Sequence, residues 1–272
     1  MSKDLNYLYK KEDFIRQLSA MDLPRDGVVL VHSALRLVGN IEGGGETLLD
    51  ALIEYCTAEG GLLCVPTHTW GFLRREITLD MTEPETCLGA LSNIAAADGR
   101  GIRSENPTHS IVVFGDRERA LKFVEGELFV ASGTSPESCY GKIFREGGHI
   151  LLVGVSHSRN TYLHCAEEMI DMPNRLTAEP RDVKVKLASG EIVTRKIRTH
   201  RTDYTSDVSL RFTKYETPFR YHGAIRDGFV GNAPTQVCDA RIMKETLELI
   251  FKNSGGADPL VDEKPISPLL YR

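Results

Sequence analysis

The sequence has few of the short motifs that mark common metal and nucleotide sites. None of its six cysteines is spaced as Cys-x-x-Cys, which argues against a zinc ribbon or a thioredoxin motif. His164 lacks the His-Glu-x-x-His spacing of the common zinc helix. The glycine-rich loop that ends at Gly45 matches neither the Walker pattern nor Gly-x-Gly-x-x-Gly. The net charge of −5 shows no basic excess, which argues against a general nucleic-acid binder.

Long apolar segments are also missing. No apolar run approaches the ~20 residues that a membrane span needs, and residues 1–6 are polar with no apolar region behind them. We therefore expect no signal peptide, no membrane contact, a reducing cytoplasm and free thiols. With 272 residues, 41% of them hydrophobic and 26% charged, the composition predicts one globular domain over residues 1–272.

Apolar runs alternate with helical patterns in the first part of the chain. A buried strand at 27–32, a helix at 46–55 and a strand at 62–65 favour a parallel pair with a right-handed crossover. Alternation over 183–187 and 192–197 predicts an antiparallel hairpin. The other predicted elements are helices at 10–21, 88–97 and 239–251 and strands at 110–114 and 150–155.

The most informative segment runs from Asn160 to Glu168 and follows the strand predicted at 150–155. His164 would lie in the first turn of a short helix, with Glu167 three residues on and Glu168 four residues on. The imidazole would then share a helix face with a carboxylate. A histidine oriented by a carboxylate near the end of a buried strand is typical of a general base. By spacing alone, a buried histidine with a purely structural role is an equal alternative.

A glycine-rich loop connects the first strand to the crossover helix. Gly43 and Gly44 lie just ahead of that helix, whose free N–H groups and dipole suit a pyrophosphate. The alternative is a turn that needs glycine only for its backbone geometry.

Hydroxyl-bearing residues follow the second strand directly, at 66–70. Open α/β sheets place ligands at the carboxyl ends of parallel strands, so Thr67 and its neighbours could stabilise a developing oxyanion. The alternative is a strand exit whose hydroxyls cap backbone groups. Trp70, the only tryptophan, would either stack on a substrate ring or fill the core.

A metal centre can also be drawn from His157, His164 and Glu167, which would favour a metal-dependent hydrolase. Its weakness is the missing spacing of the common zinc helix. His109 and His200, which fall in loops or at strand edges, are less persuasive as functional residues.

Four segments, in the same order and at similar spacing, resemble the aminoglycoside 3-N-acetyltransferase family of acetyl-coenzyme A dependent enzymes. The segments are 32–45, 61–69, 103–110 with its Arg-Ser-x-Asn-Pro motif, and 135–167 with Thr161-x-x-His164-x-x-Glu167. Residues 228–233 resemble the family's closing glycine motif, so the resemblance extends over about 10–252.

The resemblance implies a three-layer α/β/α sandwich with a central mixed, largely parallel sheet. To this the chain adds its antiparallel hairpin, within a β-rich elaboration at 180–235. Acetyl-coenzyme A is expected in the cleft above the first two strands and a small-molecule amine as acceptor, with no metal and with a homodimer allowed. The residues predicted to bind the cofactor are His32, Ser33, Ala34, Leu35, Arg36, Gly39, Gly43, Gly44, Pro66, Ser104 and Asn106. The residues predicted to bind the substrate are His68, Trp70 and Glu168.

The family's catalytic histidine corresponds to His164, with Glu167 and Thr67 at neighbouring positions. His164 would accept a proton from the amine as its nitrogen attacks the acetyl carbon. Glu167 would hold the imidazole, and donors near Thr67 would stabilise the thioester oxygen as it gains charge.

Two departures from the family bear on the acceptor. The segment after the second strand is short and opens with Phe-Leu-Arg-Arg at 72–75, where relatives that modify aminoglycosides tend to carry a longer acidic one. A His-Pro-Leu stretch is replaced by Gly-Glu-Leu-Phe at 126–129. We expect a primary amine of an aminoglycoside or of another amino-sugar-like acceptor. A different small-molecule amine, or a relative that binds the cofactor without turnover, are the alternatives.

Overall fold

The computed structural model describes residues 7–202 and 207–272. Residues 1–6, on which the expectation of no signal peptide rests, lie outside the described residues. All six cysteines lie inside them and are free thiols, as predicted. Within the described ranges, no helix is long and apolar enough to cross a membrane.

Strands and helices alternate along much of the chain. The strands are β1 (Leu8–Tyr9), β2 (Val28–Ser33), β3 (Asn40–Ile41), β4 (Leu62–Pro66), β5 (Leu79–Asp80), β6 (Ile102–Arg103), β7 (Ile111–Phe114), β8 (His149–Val153), β9 (Arg181–Lys186), β10 (Ile192–Ile197), β11 (Ile225–Val230) and β12 (Ala233–Asp239). The helices are α1 (Lys11–Ala20), α2 (Gly45–Thr57), α3 (Ala90–Ala97), α4 (Arg117–Val124), α5 (Cys139–Arg145), α6 (Tyr162–Met169), α7 (Glu216–Tyr221) and α8 (Ala240–Asn253). Short 3₁₀ turns include Leu35–Leu37, His157–Arg159 and Val208–Tyr215.

The central sheet is mixed, as predicted, with the strand order β11-β12-β8-β2-β4-β7-β6. The three middle strands β8, β2 and β4 are parallel, whereas every pairing outside them is antiparallel. The predicted parallel pair of β2 and β4 is therefore confirmed, but the sheet is parallel only at its centre and not over most of its width. At the sheet edges, β6 is joined to β7 and β11 to β12 by short connections. These pairs are antiparallel because a short connection cannot join parallel neighbours.

Helices cover both faces of the sheet and give the expected three layers. Alternate residues of β2 pack into different hydrophobic cores. Val29 and Val31 pack with α1 and α2, whereas Val28 and Leu30 pack on the side of α5, α6 and α8. Strands buried on both faces have near-continuous apolar sequences, which explains the Val-Val-Leu-Val run of β2.

The predicted hairpin is β9–β10, and it lies in a separate sheet with the order β10-β9-β5. The rest of the segment 180–235 is not a single β-rich elaboration. Residues 208–221 are helical, and β11 and β12 complete one edge of the central sheet. The hairpin base adjoins the cavity that the central strands open into, so the hairpin forms one wall of the candidate site.

Candidate active site

A cavity of about 1000 Å³ opens at the carboxyl ends of the three parallel strands. Its wall includes Ser33 at the end of β2, Pro66 at the end of β4 and Gly154 just after β8. This is the sheet edge where parallel strands present their ligands. The cavity therefore lies where the sequence predicted a ligand site.

His164 lies on α6, lines this cavity and is 9% exposed. Its Nδ1 is buried without a hydrogen-bond partner among the described residues. Burial lowers the pKa of His164 well below its usual value of 6.5, so the ring is neutral at neutral pH. A neutral imidazole on a cavity wall can accept a proton.

His200 stacks directly on His164, with ring centroids 3.9 Å apart and an interplanar angle of 17°. A row of imidazoles continues along the wall, because the centroids of His200 and His109 are 5.1 Å apart and those of His109 and His68 are 4.6 Å apart. Burial lowers the pKa of both His68 and His109. No local sequence pattern indicated this row, because its members come from helix α6 and three separate loop segments, and only the fold brings them together.

His200 is positioned by a hydrogen bond to Thr134, which is in turn hydrogen-bonded to Glu168. Thr134 Oγ1 donates to Glu168 Oε1 at 2.5 Å and lies 2.8 Å from Nε2 of His200. Since the hydroxyl hydrogen is used on the carboxylate, Nε2–H of His200 donates to Thr134. Ser132 donates to the other oxygen of Glu168 at 2.5 Å. Glu168, predicted to bind substrate, therefore lies behind His200 and not on the cavity wall.

Glu167 does not hold the imidazole of His164. It is fully buried and accepts hydrogen bonds from Nε and Nη2 of Arg175 and, at 2.9 Å, from the hydroxyl of Tyr215. Arg175 also binds Asp258 through two contacts of 2.7 and 2.8 Å. The expected carboxylate–imidazole pair is not formed, because an unpaired carboxylate at this depth needs a buried cation, and Arg175 supplies it.

Thr67, Ser104 and Asn106 are fully buried and serve the protein frame. The N–H of Thr67 donates to the carbonyl of Ser110 at 2.8 Å, and its hydroxyl lies 3.1 Å from that of Ser110. Ser104 Oγ accepts the N–H of Ile111, and Asn106 Oδ1 accepts that of His109 at 2.9 Å. These contacts position the loop that carries His109, so none of the three predicted residues lies on the cavity wall.

Other predicted residues do lie together on the wall. They are His32, Ser33, Ala34, Arg36 and Pro66 of the predicted cofactor set, His68 and Trp70 of the predicted substrate set, and His164. His32 Nε2 and Ser33 Oγ are buried without a hydrogen-bond partner among the described residues, and burial lowers the pKa of His32 to about 3. A buried polar atom without a partner costs ~1–3 kcal/mol.

The glycine end of this loop is a turn and not part of the described cavity wall, unlike Ala34 and Arg36 at its start. Leu35, Gly39, Gly43 and Gly44 are absent from the described wall, and Leu35 packs against the core beside α2. Gly43 and Gly44 have φ angles of +75° and +76°, which only glycine adopts without strain. The geometry therefore supports the alternative that Gly43 and Gly44 are needed only for the backbone conformation of the turn.

The three residues of the alternative metal centre do not converge. His157 is buried with Nδ1 3.2 Å from the side-chain nitrogen of Asn160, and its ring packs edge-on against Phe219. Glu167 binds Arg175, and His164 stacks on His200. A hydrolase built on these residues has no support from the geometry.

Comparison with known proteins agrees with this fold. The family model described as aminoglycoside 3-N-acetyltransferase matches residues 30–252. Aminoglycoside N(3)-acetyltransferase IV of a Salmonella species is 28% identical over 260 residues, which cover 94% of this chain and 91% of that protein.

Two solved structures illustrate the fold. The crystal structure of a mutant of aminoglycoside acetyltransferase AAC(3)-IVa in complex with a gentamicin has a TM-score of 0.78 and 25% identity, covering 97% of this chain and 94% of that chain. The binary structure of AAC-IIIb with CoASH has a TM-score of 0.77 at 22% identity, covering 93% and 99%. Since the family model extends over most of the sequence, this chain belongs to the aminoglycoside 3-N-acetyltransferase family of acyltransferases.

Proposed function

We propose that this chain is an acetyl-coenzyme A dependent N-acetyltransferase that acts on a primary amine of an aminoglycoside or of another amino-sugar-like acceptor. His164 is its general base. The observation that carries this proposal is the placement of a neutral imidazole on the wall of a large cavity, at the ligand-binding edge of the sheet. Family membership supplies the reaction class.

The cavity wall suits coenzyme A. Arg36 follows β2 and Arg159 follows β8, so two guanidinium groups lie beyond adjacent strand ends and can bind phosphates in bidentate fashion. Ser33 and His32 line the same part of the wall, next to Arg36. The acetyl thioester bound there supplies an activated acyl carbon.

The side chains then perform the proton transfer. Only the neutral form of an amine attacks a thioester, and most amines are protonated near pH 7. Because Nδ1 of His164 is buried, its Nε2 accepts the proton as the nitrogen–carbon bond forms and the carbon–sulfur bond breaks. Glu168 Oε1 lies 3.7 Å from Nε2 of His200, so a carboxyl group adjoins the stacked pair of rings.

Thiol release is the direct test of this function. With acetyl-coenzyme A and a panel of gentamicin, glucosamine and simple diamines, we expect saturable, amine-dependent release of free thiol. The signal would be followed with a thiol reagent, and coenzyme A binding by calorimetry would serve as a separate measurement. The proposal fails if the protein neither binds coenzyme A nor turns over any amine of the panel.

Thr134→Val tests the support of His200 by Thr134 and Glu168. Valine keeps the shape of threonine but cannot bond His200 or Glu168, so the ring stacked on His164 loses its fixed orientation. We expect kcat to fall by roughly tenfold, with the KM for acetyl-coenzyme A unchanged. Thr134→Ser restores the hydroxyl and should restore kcat. Equal losses in both variants would show that only packing at this position matters.

A further inference from the structure

Positive charge dominates the wall of the cavity. Of the described residues that line it, Arg36, Arg159, Arg181 and Arg198 carry guanidinium groups, whereas Asp207 is the only one with a carboxylate. A cleft lined with one sign of charge focuses the electric field and selects ligands of the opposite sign. A polycationic acceptor would be repelled by this wall.

The four guanidinium groups form two separate sets. Arg36 and Arg159 follow strands of the central sheet, where the cofactor phosphates are proposed to bind. Arg181 and Arg198 lie at the base of the β9–β10 hairpin, since Arg181 pairs with Ile197 in the ladder and Arg198 is the next residue. His200 follows Arg198 by two positions, so this second set adjoins the stacked histidines.

No carboxylate among residues 7–202 and 207–272 neutralises the hairpin pair. Within the described part of the chain, neither Arg181 nor Arg198 makes an ion pair, and Arg181 only donates to the carbonyl of Leu73 at 3.3 Å. Glu168, the carboxylate behind His200, has both oxygens occupied by hydroxyl groups. By contrast, Lys196 on the same hairpin is paired with Asp182 at 2.9 Å. The charge of the pair is therefore available to a ligand.

We propose that Arg181 and Arg198 form an anion subsite for the acceptor, so that the preferred acceptor is an amine that also carries a phosphate or a carboxylate. This inference rests on the proposed acetyltransferase function and narrows its substrate class. Guanidinium groups bind both anions through paired N–H donors, and the neighbouring histidines would receive the amine end of the same molecule. Phosphorylated amino sugars and acidic amino sugars have this combination of groups.

A binding measurement separates this subsite from the cofactor site. The protein would be saturated with coenzyme A and titrated by calorimetry with D-glucosamine, D-glucosamine 6-phosphate and muramic acid. We expect one of the two anionic sugars to bind at least tenfold more tightly than glucosamine, and the preferred one identifies phosphate or carboxylate. The preference should weaken as salt is raised. Equal affinity for all three, or no binding of either anionic sugar, would overturn the inference.

The variant R181Q/R198Q tests the residues, with K196Q as the matched control on the same hairpin. In thiol release, kcat/KM for the anionic acceptor should fall by ~10- to 100-fold in R181Q/R198Q and stay unchanged in K196Q. The KM for acetyl-coenzyme A should not change, and the turnover of D-glucosamine, which carries no anionic group, should not fall. If the KM for acetyl-coenzyme A rises instead, the pair binds cofactor phosphates and the inference is wrong. His164-dependent acetylation of gentamicin without any preference for anionic amines would also refute the subsite, yet leave the proposed function standing.

Discussion

Replacement of His164 by alanine is expected to lower kcat by ~10²- to 10⁴-fold while the protein stays folded. The change removes the proposed proton acceptor from the cavity wall but leaves the ion pairs and the strands of the central sheet in place. Thiol release gives the rate, and circular dichroism with a thermal melt gives the fold. His222→Gln is a suitable control, because His222 contacts the carbonyl of Tyr271 and is absent from the described cavity wall.

The pH profile gives a second measure of the same group. Burial lowers the pKa of His164 below 6.5, so its neutral, proton-accepting form persists as the pH falls through that value. The acid limb of kcat, which reports groups in the bound complex, is therefore expected below pH 6.5. This assignment would be contradicted if the acid limb of kcat were centred above about pH 7 and stayed there with acceptors whose amines have different pKa values. Undiminished turnover in His164→Ala would refute the base itself.

Glu167→Gln is expected to destabilise the protein more than it slows the reaction. Glu167, Arg175 and Asp258 form a buried ion triad that ties α6 to the segment beyond α8, and Tyr215 adds a hydrogen bond. Asp258 still balances the charge of Arg175 in this variant, so the loss is that of the charge-assisted hydrogen bonds to Glu167, ~1.5–3 kcal/mol. For a chain of this size the melting temperature should fall by roughly 3–12 °C.

The matched control is Glu248→Gln, which breaks the exposed Lys244–Glu248 pair on α8. That change should alter stability by less than about 0.5 kcal/mol, because exposed pairs within a helix contribute little. Arg175→Met should be at least as destabilising as Glu167→Gln, since it leaves two buried carboxylates without a cation. If Glu167→Gln instead keeps its melting temperature and loses activity to the extent of His164→Ala, then Glu167 does orient the base.

Local sequence patterns predicted the inner part of the fold. The runs of β2, β4 and β8 are apolar because both faces of these strands are buried, and the predicted hairpin and C-terminal helix correspond to β9–β10 and α8. Patterns failed at the sheet edge, where β11 has the sequence Ile-Arg-Asp-Gly-Phe-Val. An edge strand is partly solvated and carries charges that prevent pairing with other chains, so it lacks the apolar run that marks a central strand.

The sequence by itself determined the family and the order of the central strands along the chain, and it led to the proposal of His164 as the base, because each depends on local pattern or motif spacing. Only the tertiary structure decided the partners of the functional groups. Helical spacing places Glu167 and Glu168 near the same imidazole, but it cannot say which carboxylate meets a buried cation. The buried cation Arg175 is also bound by Asp258, which lies 83 residues further along the chain. The contact between Thr134 and His200 joins residues that are 66 positions apart in the sequence. Burial makes such long-range contacts decisive, since a desolvated charge or polar atom must find its partner inside the protein.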